Sequence, residues 1–75
     1  MTTFINISKQ EFETAFLSLK EKEWKKLQDI AFAFTGLNPR FTMFHVELNF
    51  NRFFPFGCEN RKNAQTFLIG SIQGL

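Results

Sequence analysis

Residues Phe41 to Phe54 read FTMFHVELNFNRFF, and this stretch decides the fold. Its middle alternates. Phe44, Val46, Leu48 and Phe50 are apolar, while His45, Glu47, Asn49 and Asn51 are polar. A period of two predicts a β-strand with one buried and one wet face. Nothing else in the chain has so clear a period, so the other apolar segments are read as cover for this strand. Phe53-Phe54-Pro55-Phe56-Gly57 ends it, because proline cannot donate to a ladder and glycine accepts unusual torsions.

Beyond it, Cys58 to Asn63 (CENRKN) is polar and loop-like. Gln65 to Gln73 (QTFLIGSIQ) reads as a last strand, with Thr66, Leu68 and Ile72 on one side and Phe67, Ile69 and Ser71 on the other. A short helix over 63–69, closed by Gly70, is the alternative.

On the other side, Gly36-Leu37-Asn38-Pro39 is a turn. Thr3 to Ile7 (TFINI) is a short candidate strand. Ser8-Lys9-Gln10-Glu11 matches the reciprocal N-terminal capping box, and Phe12, Ala15, Phe16 and Leu19 follow at helical spacing. Trp24, Leu27, Ile30, Ala31 and Phe34 resume that spacing after the polar patch Lys20–Glu23. One helix from Lys9 to Thr35 fits the pattern. A break near Leu19–Lys20, with Ser18 capping a second helix and Glu21 at its third position, fits better. An unbroken helix of about 27 residues is about 40 Å long, too long for so small a domain.

The expected architecture is α+β, in the order β-α(α)-β-β. A small, mostly antiparallel sheet of two or three strands is covered on one face by a helical pair or one bent helix. The 75 residues form one domain, with no internal repeat and no linker.

Twelve phenylalanines, one tryptophan and no tyrosine are more rings than so small a core can hide. Exposed aromatics mark contact surfaces. The formal charge of +2, from nine basic and seven acidic side chains, is too weak a bias to demand a nucleic-acid partner. A single cysteine, Cys58, excludes an internal disulfide framework and fits a reducing, cytoplasmic setting. No apolar run is long enough to span a membrane, and the N-terminus lacks a secretion signal's pattern.

No catalytic, cofactor or metal motif is present, so the chain reads as non-enzymatic. On a strand, His45 and Glu47 share the wet face, which is ordinary for solvated side chains. Cys58 and His45 are one of each kind, too few to argue for cysteine–histidine catalysis.

Two surfaces stand out. Phe53, Phe54 and Phe56 crowd the strand exit, pinned by Pro55 and Gly57 and rimmed by Arg52, Arg61 and Lys62. Aromatics with arginine at the rim suit a protein partner. The second surface sets Trp24 among Lys22, Lys25 and Lys26, with Arg40 further on. Rings beside cations suit single-stranded nucleic acid. Arg40 to Phe44 lacks the glycine of the RNA-recognition-motif signature, however, and acidic residues are interleaved with the lysines. A helix-turn-helix with Gly36-Leu37 in its turn is opposed by the alternation after Phe44.

The leading expectation is a small protein-binding module, an inhibitor or adaptor. A nucleic-acid binder is the alternative, and surplus rings with a free sheet edge also favour a homodimer. The Phe-, Lys-, Asn- and Ile-heavy usage fits AT-rich coding, common in phages and mobile elements. That adds the expectation of an inhibitor directed at a host system, such as its defences.

Overall fold

The computed structural model describes residues 6–36 and 39–75, and among them the fold is all-helical. Four helices follow in order: α1 (Lys9–Ser18), α2 (Glu21–Thr35), α3 (Met43–Phe53) and α4 (Arg61–Gln73). The α+β expectation is therefore wrong, and with it the sheet. α4 and α2 form the central pair, α1 packs on α4, and α3 packs on α2.

The principal correction falls on residues 44–50. In a helix, a period of two over seven residues is also two pairs spaced i, i+4 on opposite sides. Val46 and Phe50 form the inward pair, at 3% and 5% exposure. Phe44 and Leu48 form the outward pair, at 66% and 56%. Met43 and Phe54 extend the inward set at spacings of three and four, and both pack in the core. Alternation alone cannot separate these cases, because a helix with apolar residues on both sides writes the same pattern.

What decides is the surroundings. An isolated strand is not stable, and Gln65–Gln73, the expected second strand, lies in α4. Its helical spacing runs Ala64, Phe67, Leu68, Ile72, so the helical alternative over 63–69 is right in kind and extends over 61–73. Gly70 lies inside this helix instead of closing it. Glycine in a helix interior costs about 1 kcal/mol relative to alanine. Here a Cβ at position 70 would fall 2.3 Å from the Phe12 ring, so only glycine lets α1 approach so closely.

The N-terminal half follows its local signals. The Ser8 hydroxyl accepts from the Glu11 N–H at 3.1 Å, and the Glu11 carboxylate accepts from the Ser8 N–H at 3.0 Å. These two bonds satisfy donors at the start of α1 that have no partner within the helix. The Glu11 carboxyl is held below its ordinary value of 4.5, first by the Ser8 backbone and then by its side chain.

The chain does break after α1, with extended backbone at Leu19 and Lys20. The device differs from the expected Ser18–Glu21 cap. Ser18 ends α1, its hydroxyl donating to the Thr14 carbonyl, while the Lys20 N–H donates to Glu23 at 2.8 Å.

The expected strand over 3–7 lies largely outside the described residues, as do positions 37 and 38 of the expected turn. Within them, Ile7 is buried and donates its N–H to the Gln73 side chain, which in turn donates to Asn6. That amide ties the N-terminal segment to the end of α4.

Leu27, Ala64 and Phe67 are the deepest side chains, at the crossing of α2 and α4. Phe12 stacks on Phe67 with ring centroids 4.8 Å apart, and Phe16 lies 5.9 Å from the same ring. The core draws on all four helices, and the Phe12–Phe67 stack closes it between α1 and α4.

Candidate partner-binding surface

Of the eleven phenylalanines in the described residues, Phe50, Phe54 and Phe67 are buried, and Phe12, Phe34 and Phe41 are half-buried. Phe16, Phe32, Phe44, Phe53 and Phe56 are exposed. These five form three patches: the α3–α4 corner, the outer face of α3, and a groove between α1, α2 and α4.

The corner begins where α3 stops. Pro55 ends the run of backbone donors, and the Cys58 N–H donates to the Pro55 carbonyl at 3.0 Å, closing a turn. Gly57 sits within it at φ +90°, a left-handed conformation that disfavours a side chain. Asn60 tethers the turn to α2 by donating to Glu23 at 3.3 Å. Arg61, the first residue of α4, reaches back and donates to the Phe54 carbonyl.

The Arg61 guanidinium lies 4.0 Å from the Phe56 ring centroid and 4.9 Å from that of Phe50. Phe54 turns inward and stacks on Phe50 at 5.5 Å. Phe56 projects outward at 82% exposure, backed by Arg61. Phe53 is 40% exposed and carries the Lys26 ammonium 4.2 Å over its ring.

Of the six residues that sequence placed at a partner-binding site, the turn gathers Phe53, Phe54, Phe56 and Arg61. Phe54 is buried and contributes to that surface only from beneath. Arg52 and Lys62 are exposed on the adjoining turns of α3 and α4. Sequence reasoning assigned Lys22 and Lys26 elsewhere. Both line a shallow depression of about 300 Å³ with Glu23, Phe53, Phe54 and Cys58. They are one helical turn apart on α2, a spacing legible in the sequence, but what they face is not.

The expected nucleic-acid set is dispersed. Trp24 is half-buried, its ring 5.3 Å from Phe16. Lys25 pairs with Glu21 at 2.8 Å across one helical turn. Lys22 and Lys26 belong to the corner, and Arg40 is exposed in the turn before α3.

The row His45, Glu47, Asn49, Asn51 dissolves, because residues two apart on a helix point in nearly opposite directions. His45 Nδ1 accepts from the Thr42 N–H at 3.1 Å, and its ring packs by Phe41 and Phe44. Its role is to cap α3, with the ring standing where a capping glutamate commonly does. Among the described residues, no three or more His, Cys, Asp or Glu side chains gather as metal ligands. No described helix is long and apolar enough to cross a membrane.

The sequence objection to a helix-turn-helix, alternation after Phe44, falls with the strand. A different objection replaces it. Seven residues, 36–42, join α2 to α3, where that motif uses three or four. The outer face of α3 also presents Phe44, Glu47 and Leu48, which do not suit a phosphate backbone.

No family model, curated protein or solved structure matches this chain.

Proposed function

We propose that this chain is a small non-enzymatic protein-binding module, an inhibitor or adaptor, and that the α3–α4 corner is its docking end. The observation that carries the reading is Phe56, 82% exposed yet held in place. Its backbone is fixed by the Pro55–Cys58 turn, and its ring is backed by Arg61, itself anchored to the Phe54 carbonyl. Leaving a large apolar ring in water wastes burial energy. Holding it rigidly there lowers the ordering cost of binding. Aromatic anchors of this kind carry most of the energy in protein interfaces.

Arg52 and Lys62 are exposed near the anchor in sequence, and Lys22 and Lys26 line the depression at Phe53, against Glu23 and Glu59. These cations favour a partner surface with a pocket for Phe56 and carboxylates at its rim. Exposed cations meeting a partner at the rim act chiefly on association rate and salt dependence. A phage or mobile-element inhibitor acting in the cytoplasm on a host system fits such a surface. The Lys22–Lys26 pair beside Phe53 is what favours the alternative, a nucleic-acid binder.

The test is a photo-crosslinking amino acid placed at position 56, with position 17 on the exposed flank of α1 as control. Adducts formed from 56 alone, and lost in Arg61→Ala, support the reading. Equal crosslinking from both positions removes the corner from it. Steeply salt-dependent capture of single-stranded oligonucleotides, without protein adducts, points to the alternative.

A further inference from the structure

A second surface, on the flank away from the corner, carries an inference that does not rest on that reading. α1, α2 and α4 enclose an open groove of about 590 Å³. Its floor is aromatic, made by Phe12, Phe16 and Phe67. Phe32 forms part of its wall and stands 78% exposed, and Leu75 at the other side is 48% exposed. We infer that this groove is a self-association surface, in which Phe32 of each of two copies enters the groove of the other.

Reciprocity is the first argument. The projecting ring and the hollow that fits a ring lie side by side on one face. A two-fold axis beside Phe32 therefore fills both hollows at once, as an isologous contact requires.

Area is the second. At about 200 Å² for a whole large apolar side chain, the exposed parts of Phe16, Phe32 and Leu75 offer roughly 300 Å² per copy. A standard interface takes about 800 Å² from each partner, slightly more than half of it apolar, so these three supply on the order of two-thirds of the apolar need.

Charge is the third. Asp29 is the one charged residue in the lining; Gln28, Thr35 and Ser71 supply uncharged polar groups. A strongly charged partner would find little to pair with. Two copies bring together one like-charged Asp29 pair, a small opposing cost on a surface otherwise as charge-depleted as a homodimer centre.

The experiment is sedimentation velocity on the whole chain across micromolar concentrations, with Phe32→Ser, Leu75→Ser and Phe44→Ser. Phe32 and Leu75 are exposed, so these variants keep the fold, and circular dichroism checks that they do. The wild type dimerises. Phe32→Ser raises the dissociation constant at least ~30-fold, the scale of an interface hot spot. Leu75→Ser raises it less, and Phe44→Ser, on the unrelated face of α3, leaves it unchanged. A wild type that stays monomeric throughout overturns the inference. So does a dimer that survives Phe32→Ser or dissolves in Phe44→Ser.

Discussion

Replacing Gly70 by alanine tests the packing of α1 on α4 directly. Gly70 is buried inside α4, and a Cβ there would lie 2.3 Å from one Phe12 ring carbon and 3.0 Å from another. Two effects of opposite sign compete. Alanine is the better helix former by about 1 kcal/mol. Against this, the Phe12 ring must move away. Overpacking a fitted contact costs about 1–3 kcal/mol. Displacing Phe12 also disturbs its stack on Phe67, and an aromatic pair contributes about 0.5–1.5 kcal/mol beyond area.

The clash wins, and Gly70→Ala lowers stability by about 1–2 kcal/mol. In a domain of this size that lowers Tm by about 5–15 °C. The diagnostic step is the double-mutant cycle. With Phe12→Ala the obstruction is gone, and Gly70→Ala becomes stabilising by about 1 kcal/mol. Urea unfolding followed by far-ultraviolet circular dichroism and by Trp24 fluorescence measures all four proteins. If Gly70→Ala stabilises the wild type, or shifts both backgrounds by the same amount and sign, Phe12 does not rest on Gly70 and the account of α1–α4 packing is wrong.

Three further outcomes follow from the same structure. Amide and Cα chemical shifts over 44–50 are helical, and Phe44→Ser with Leu48→Ser changes stability by less than about 0.5 kcal/mol each, since both side chains face outward; extended shifts would restore the strand. Ser8→Ala loses its hydroxyl cap and about 1 kcal/mol, read from the urea midpoint, and an unchanged midpoint would show that the cap contributes nothing. The Glu11 carboxyl is depressed in the folded state, so its contribution is present above the unfolded value of 4.5 and fades as pH falls through the lower folded value; Glu11→Gln flattens the acid limb of a Tm-against-pH curve, and an identical limb in the variant would refute that linkage.

The legible parts of the fold are those governed by neighbours in sequence. The Ser8–Glu11 box, the α1 stripe and the interruption before α2 all lie within four residues of the groups that cause them. Over α3 the local pattern is ambiguous. Its alternation is degenerate with two opposed i, i+4 pairs, and whether Phe44 and Leu48 are buried depends on what lies across from them. Over 65–73 apolar residues on both sides suit a buried strand as well as a helix, and the helical alternative over 63–69 stops short because the reason a glycine stands inside α4 is Phe12, 58 positions away in the chain. At the corner, the crowding of Phe53, Phe54 and Phe56 was visible. That Phe54 alone turns inward, and that Lys26 covers Phe53, was not. The exposure of Phe32 has a signal in the sequence, since Gln28, Asp29, Thr35 and Gly36 surround it one turn away on either side.

The amino-acid order by itself determined the Ser8–Glu11 cap, the break between α1 and α2, and an excess of rings over the interior available to them, because these depend on local chemistry and composition alone. Tertiary structure decided that 43–53 and 61–73 are helices, and which rings are left in water. Those outcomes rest on burial, and burial is a property of two surfaces that meet, so a single stretch of chain cannot carry it.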